Sequence, residues 1–319
     1  MNALVFLANE NYAEYAKQMV FSARRYGHWE DDIILLKWGA FDTSWFEQRG
    51  VMIEDVSSAD FNFGDLPDQQ AVYFAKIILF HPKFSRWKKM VYLDTDMLIR
   101  RDIRHLLSYN GFAAADDCFR YPVIHQMTPI NGDWSKSKVN DILSKKALSS
   151  AGFNSGLMVI PTVSNTIVTF NKLCELTAEY WQESAYFDQG ILNMHLNPIR
   201  KRIPYVFNDY YLSEDFNRRG LIRRFSDKYS VILHIIHPSK PWNKDNPYHR
   251  EWKARMQKAD ESTEYPISSI PPSKIGTFLV DFVNRWNIAG ITLKGWWIDR
   301  YRGFKWLLRR MFVKKSHQS

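Results

Sequence analysis

Cysteine is almost absent from the 319 residues; Cys118 and Cys174 are the only two. Two thiols cannot build a disulfide framework, so the fold is expected to rest on its core in a reducing compartment. Long apolar runs are missing as well. The best stretches, Ile33–Leu36, Leu157–Ile160 and Val231–Leu233, are strand-sized, well short of the ~18–20 residues that cross a bilayer. The opening MNALVFLANENY has no basic segment ahead of its apolar residues and soon turns polar, unlike a secretory leader. A cytoplasmic protein is therefore expected. Internal repeats and low-complexity tracts are lacking too, and with 45% hydrophobic residues the composition excludes wholesale disorder and fibrous architecture.

The chain is 15% aromatic and 24% charged, with a formal net charge of +9. That charge is unevenly spread. Lys294, Arg300, Arg302, Lys305, Arg309, Arg310, Lys314 and Lys315 face only Asp299 in the last stretch, so the body before Lys294 is nearly neutral. A nucleic-acid enzyme would carry a basic groove in its body, and none is demanded here, so nucleic acid is not an expected partner.

Ala3–Ala8 reads as a buried strand, and Asn11–Tyr26 has helical spacing that Gly27 can end. Asp32–Leu36 and Val51–Val56 read as strands, Gln69–Phe80 as helix, and Met90–Leu93 as a strand leading into Asp94-Thr95-Asp96. Phe153–Ile160 and Val231–His234 are later strands; Asn165–Trp181 and Tyr186–His195 are helical in pattern. Such alternation predicts an α/β fold with a single doubly wound, mostly parallel sheet and flanking helices. Pro266–Ser273, with three prolines in eight residues, is the linker candidate. The expected division is 1–245 catalytic, 246–273 extension and linker, and 274–319 tail.

Asp94 and Asp96 end an apolar strand, at the edge of an open α/β sheet where ligands bind. Residues i and i+2 of an extended chain share a face, so both carboxylates can meet one cation, and hard oxygen donors suit Mn²⁺ or Mg²⁺. The alternative is a surface turn in which the aspartates bond their own backbone. His234 ends another apolar strand, and Lys240-Pro-Trp242 follows six residues later. A neutral imidazole can complete a carboxylate-rich site and a lysine can hold a diphosphate; equally, the ring can be structural and Lys-Pro-Trp a rigid turn.

Together these residues resemble the retaining family 8 glycosyltransferases of the GT-A fold, the group of glycogenin and the bacterial lipo-oligosaccharide galactosyltransferases. The matching blocks occur in order: β-strand plus Asn9-Glu-Asn-Tyr12, Val91-Tyr-Leu-Asp-Thr-Asp96, Phe153-Asn-Ser-Gly156, Asp188-Gln-Gly-Ile-Leu-Asn193, and His234 through Lys240-Pro-Trp242. The resemblance covers roughly residues 1–245.

It implies that Asp94, Asp96 and His234 ligate Mn²⁺, with Mg²⁺ as the alternative, and that the donor is a UDP-sugar. Phe6, Ala8, Asn9 and Tyr12 would hold uracil and ribose, with Tyr12 stacked on the base. Thr95 and Lys76 would approach the donor, and Lys240 would bind the diphosphate as UDP departs. Asp117 (or its neighbour Asp116), Asn154, Asp188 and Gln189 would surround the sugar, with Gln189 near the anomeric carbon. The bland reading of Asp188 is a helix N-cap. Where the family usually has glycine, this chain has His237, read as offering its backbone N–H to the diphosphate, as adding a side-chain donor to it, or as weakening its binding.

The last segment places Trp297, Tyr301, Phe304, Leu308, Met311 and Phe312 at steps of three and four, with arginines and lysines between. This is a basic amphipathic helix of the kind that lies on an anionic membrane surface. Ile275, Phe278, Leu279, Phe282, Val283 and Trp286 form an earlier stripe, read either as a helix packed on the body or as a second membrane contact. The expected protein is thus a peripheral enzyme on the inner face of the membrane. It would move galactose or glucose to a saccharide or glycolipid acceptor such as a lipopolysaccharide core. The alternatives are a protein-glycosylating enzyme and a membrane-docked UDP-sugar-binding module.

Overall fold

The computed structural model describes residues 1–117, 123–127, 150–162, 167–211, 227–236 and 239–283. β1 (Ala3–Asn9) forms because its apolar run has no polar face to offer water; all but Leu7 and Asn9 are buried. The run stops at Asn9, whose side chain accepts from the Asn11 N–H at 3.1 Å and so caps α1 (Glu10–Arg25). β2 (Asp32–Trp38), β3 (Val51–Val56), β4 (Lys89–Leu93), β5 (Met97–Ile99), β6 (Ala113–Asp116) and β7 (Phe153–Pro161) follow. Then come α2 (Ile167–Tyr180), α3 (Asp188–Leu196), β8 (Lys201–Ile203), β9 (Asp209–Tyr211), β10 (Ile232–Ile235) and α4 (His249–Glu261).

Seven strands make the main sheet in the order β3-β2-β1-β4-β7-β6-β8. β7 runs antiparallel to β4 and β6, and the other pairs are parallel, as the sequence predicts. Alternate residues divide between two core layers: Ala3, Val5, Met90 and Tyr92 on one face, Leu4, Phe6, Val91 and Leu93 on the other. The expectation of one sheet is incomplete. A second, three-stranded sheet in the order β5-β10-β9 stands beside the first, because the chain turns between β4 and β5 and β10 returns antiparallel to β5. The helix expected over Gln69–Phe80 is a short α-turn, Asp68–Ala71, followed by a 3-10 run, Val72–Phe80. Its apolar residues are buried on several sides, so packing rather than an amphipathic period decides its winding.

The linker candidate is tied to the body: the Ser268 N–H donates to the Arg25 carbonyl and the Asp102 N–H to the Ile270 carbonyl. Beyond it, residues 274–283 are helical. Val280 and Gly276 face the body, and a Cβ on Gly276 would come within 2.4 Å of the Tyr229 ring. Asp281 accepts from the Tyr205 N–H at 2.5 Å and from Arg202 at 3.4 Å. Ile275, Phe278 and Phe282 point outward. Trp286 and the final amphipathic segment lie outside the described residues.

Candidate active site

The acidic pair sits on the turn joining the two sheets rather than along a strand. The Asp94 N–H donates to the Gly156 carbonyl at 2.9 Å, and the Ile235 N–H donates to the Asp96 carbonyl at 3.1 Å. Antiparallel pairing sets His234 opposite Met97, one residue past Asp96. Sheet register thus brings the ring to the acids, and ligand atoms of Asp94, Asp96 and His234 lie within 4.8 Å of one another.

Charge is dense here. The Tyr92 hydroxyl donates to Asp94 Oδ1 at 2.7 Å. Lys76 Nζ stands 3.0 Å from that oxygen and 3.5 Å from Asp188 Oδ2, while Lys240 Nζ pairs with Asp96 Oδ2. Burial works against the charged form of Asp96, yet the His234 ring in its protonated form and the Lys240 ammonium hold its carboxyl well below the usual range. For Asp188 burial wins: its carboxyl is pushed up, Asp94 adding to the shift and Lys76 opposing it. Burial alone would lower Lys76, but Asp188 and Asp94 raise it instead. Three carboxylates therefore share two ammonium groups in a largely buried setting. Asp96 Oδ1 is buried and receives no hydrogen bond among the described residues, and His234 Nε2 lies 3.2 Å from it. An orphaned carboxylate oxygen beside a ring nitrogen and an excess of acid are what a divalent cation satisfies, so the donor set fits one. Gly156 leaves the room: a Cβ there would meet His234 Cε1 at 2.5 Å and Asp94 Oδ2 at 2.8 Å.

A second cluster lies at the start of α3. Asn193 accepts from the Phe153 N–H at 2.7 Å and donates to the Phe153 and Gln189 carbonyls at 2.8 Å, lacing α3 to β7. Gln189 Oε1 accepts twice, from Asn154 Nδ2 at 3.0 Å and the Ser155 N–H at 3.1 Å. Asp188 is not the N-cap. That position belongs to Phe187, at φ 49° and ψ −125°, a backbone region a non-glycine residue occupies only under constraint. Phe187 stacks on Tyr73 with ring centroids 4.6 Å apart.

A cleft of about 490 Å³ joins the clusters. Ala8, Asn9 and Tyr12 line one end of the set expected from sequence, and Lys76, Asp94, Thr95, Asp96, Asp188 and Lys240 line the rest. Tyr12 is 41% exposed and meets Trp242 edge-on at 5.9 Å, leaving its ring open to a planar group. His234, Asn154 and Gln189 stand behind the lining, joined to it by the bonds above. Two of the expected residues lie off this lining. The Phe6 side chain is fully buried in the layer facing α1, because alternation along β1 turns Leu7 to the cleft instead. Asp117 accepts from Gln126 Nε2 at 3.3 Å and does not line the cleft, and Asp116 is held by Arg200 and Arg202 at 2.8 and 2.9 Å. His237 lies outside the described residues. Sequence reasoning passed over Tyr92, Tyr73, Phe187 and Asn208. Tyr92 could have been found as the residue two before Asp94, on the same strand face; Asn208 carries no local signal.

The profile of glycosyl transferase family 8 matches residues 56–246. The chain belongs to that family. Its matched span runs from β3 past Lys240-Pro-Trp242 and so contains the acid pair, His234 and the α3 cluster, while β1 and α1 precede it. Similar curated proteins include galactinol synthase 1 of Ajuga reptans, 28% identical over 164 residues, 50% of this chain and 47% of that protein. Glycosyltransferase GlyB of Streptococcus pneumoniae is 25% identical over 224 residues, 65% of this chain and 47% of that one. This family 8 chain spans about half the length of the curated relatives it matches. Among solved structures, the galactosyltransferase LgtC with donor and acceptor sugar analogs aligns at TM-score 0.59 and 18% identity, covering 86% of this chain and 99% of that one. The shared architecture is the GT-A fold.

Proposed function

We propose that this family 8 protein is a retaining transferase that moves galactose or glucose from a UDP-sugar to a saccharide acceptor, with Mn²⁺ held by Asp94, Asp96 and His234. The observation that carries the reading is the convergence of those three side chains at a cleft with Tyr12 on its wall and Asp188 in its lining. Ala8, Asn9 and Tyr12 hold the base and ribose. The bound cation would supply Lewis-acid neutralisation of the diphosphate. Lys240 offers an ammonium beside Asp96 where negative charge grows as the leaving group departs. Tyr92 and Lys76 fix the Asp94 carboxylate, and Asp188 orients sugar hydroxyls.

Retention requires either a covalent intermediate or attack on the face the leaving group vacates. Gln189 is a poor nucleophile here: its Oε1 is engaged by two donors, and its buried Nε2 has no hydrogen-bond partner among the described residues. The front-face route needs no enzyme nucleophile. The acceptor oxygen bonds the anomeric carbon as the bond to the phosphate oxygen breaks, and that oxygen takes the acceptor's proton. A lipid-linked acceptor, such as a lipopolysaccharide core, follows from the basic amphipathic tail, which would hold the protein on the inner face of an anionic membrane.

The test is release of UDP by the purified protein from UDP-glucose, UDP-galactose and their N-acetyl forms, with Mn²⁺ or with EDTA. Metal-dependent release from one hexose donor is expected. Turnover that persists undiminished in EDTA would remove the metal from the reading.

A further inference from the structure

The hydrogen bonds behind the metal cluster have a direction that two backbone amides fix. Side-chain amide and imidazole orientations are ordinarily ambiguous, but a main-chain N–H can only donate. The Gly156 N–H donates to the Asn154 side chain at 2.9 Å, so the atom it meets is Oδ1. The other end, Nδ2, then donates to Gln189 Oε1, which the Ser155 N–H independently marks as an oxygen. Asn154 Oδ1 also lies 3.2 Å from the Asn208 side chain, and an oxygen there requires a donor, so that atom of Asn208 is Nδ2. Its second contact, to the Tyr210 hydroxyl at 3.0 Å, is compatible, since that hydroxyl passes its own proton to the Asp116 carbonyl.

Asn208 Oδ1 is left facing His234 Nδ1 at 2.9 Å. A carbonyl oxygen accepts, so Nδ1 carries a proton, and in the neutral form that a metal ligand takes, Nε2 is the bare nitrogen. That nitrogen is the one 3.2 Å from the orphaned Asp96 Oδ1. With Nδ1 unpartnered, the proton could sit on Nε2 instead, donate to Asp96, and close the ligand position to a metal.

We infer that Asn208 is a positioning residue of the metal site. It selects the Nδ1–H tautomer of His234 and so presents a bare Nε2 to the cation, in a direction handed on from the Gly156 backbone through Asn154. Asn208 is fully buried and touches neither the cleft nor the cation ligands' carboxylates, so it acts through the ring alone. The inference rests on the reading of His234 as a metal ligand.

The experiment records ring nitrogen–proton correlations of the ¹⁵N-histidine-labelled, metal-free protein, with His234→Gln to assign the signal, and Mn²⁺ affinity by electron paramagnetic resonance. Wild type should show Nδ1 protonated. Asn208→Leu should move the proton to Nε2 and weaken Mn²⁺ binding about 10- to 100-fold, the usual scale for a lost partner of a metal-bound histidine. Asn208→Asp keeps an acceptor at Nδ1 and should restore the tautomer and most of the affinity, although its link to Asn154 is broken. A wild-type ring with bare Nδ1 overturns the inference and needs no variant to fold. So does an Asn208→Leu protein with the wild-type tautomer and affinity. A wild-type ring protonated at Nδ1 that binds no Mn²⁺ would instead overturn the metal reading.

Discussion

At Gly156 a single methyl group decides whether the cluster can exist. The added carbon of Gly156→Ala would fall 2.5 Å from the His234 ring and 2.8 Å from Asp94 Oδ2, and neither can retreat: the ring is held by Asn208 and the carboxylate by Tyr92 and Lys76. We expect the variant to fold and to lose Mn²⁺ affinity by at least about 10-fold, on the scale of other disturbances to the shell around a metal. Isothermal titration with Mn²⁺ checks this, and an unchanged affinity would move the site elsewhere. At this scale the sequence was most legible where chemistry is local. Asp94 and Asp96 follow the end of β4, where a surface turn is a competing reading until His234 and Lys240 are set beside them. Phe6 and Leu7 face opposite layers and Leu7 lines the cleft, a single step of alternation that residue order leaves open.

Between elements, the polar ties are as specific as the apolar ones. Asn193 laces α3 to β7, which places Gln189 against the Asn154–Ser155 backbone, and the strained Phe187 is the cost of starting the helix there. Asp116 plays a similar part at the edge of the sheet, where Arg200 just before β8 and Arg202 within it both grip its buried carboxylate. Burial opposes that charge, but the arginines hold the carboxyl below its usual value. Its contribution to stability is therefore present above the unfolded-state carboxylate value, about 3.9, and drains away as pH falls through the lower folded value. Asp116→Asn should cost about 1–3 kcal/mol at neutral pH, since it leaves the Arg200 guanidinium without its carboxylate while Arg202 keeps Asp281. Denaturant midpoints should also fall less steeply with acid than in wild type; parallel acid profiles would refute the assignment. The sequence announced the helix of α3 through its pattern but not its first residue, because a backbone strain carries no signature in residue order.

For the whole molecule, the main sheet was readable because strands and helices alternate, and alternation of that kind permits few topologies. The second sheet was not, since β5, β9 and β10 are three or four residues long and pair only across great separations. The extension past the linker divides by contact: residues 274–283 dock through Val280 and Asp281, while Ile275, Phe278 and Phe282 face outward. A chain ending after residue 283 should thus keep its fold and its UDP binding yet leave anionic liposomes that the full chain sediments with; equal sedimentation would end the membrane reading. The small sheet has one more consequence. Asp96 and Lys240 are 144 positions apart and meet only after β10 has found β5. During synthesis Asp94 emerges after its partners Lys76 and Tyr92, whereas Asp96 waits on the turn for a ring and an ammonium that leave the ribosome much later. A fragment ending ahead of β10 would carry the seven strands of the main sheet but neither His234 nor Lys240, and so no completed site.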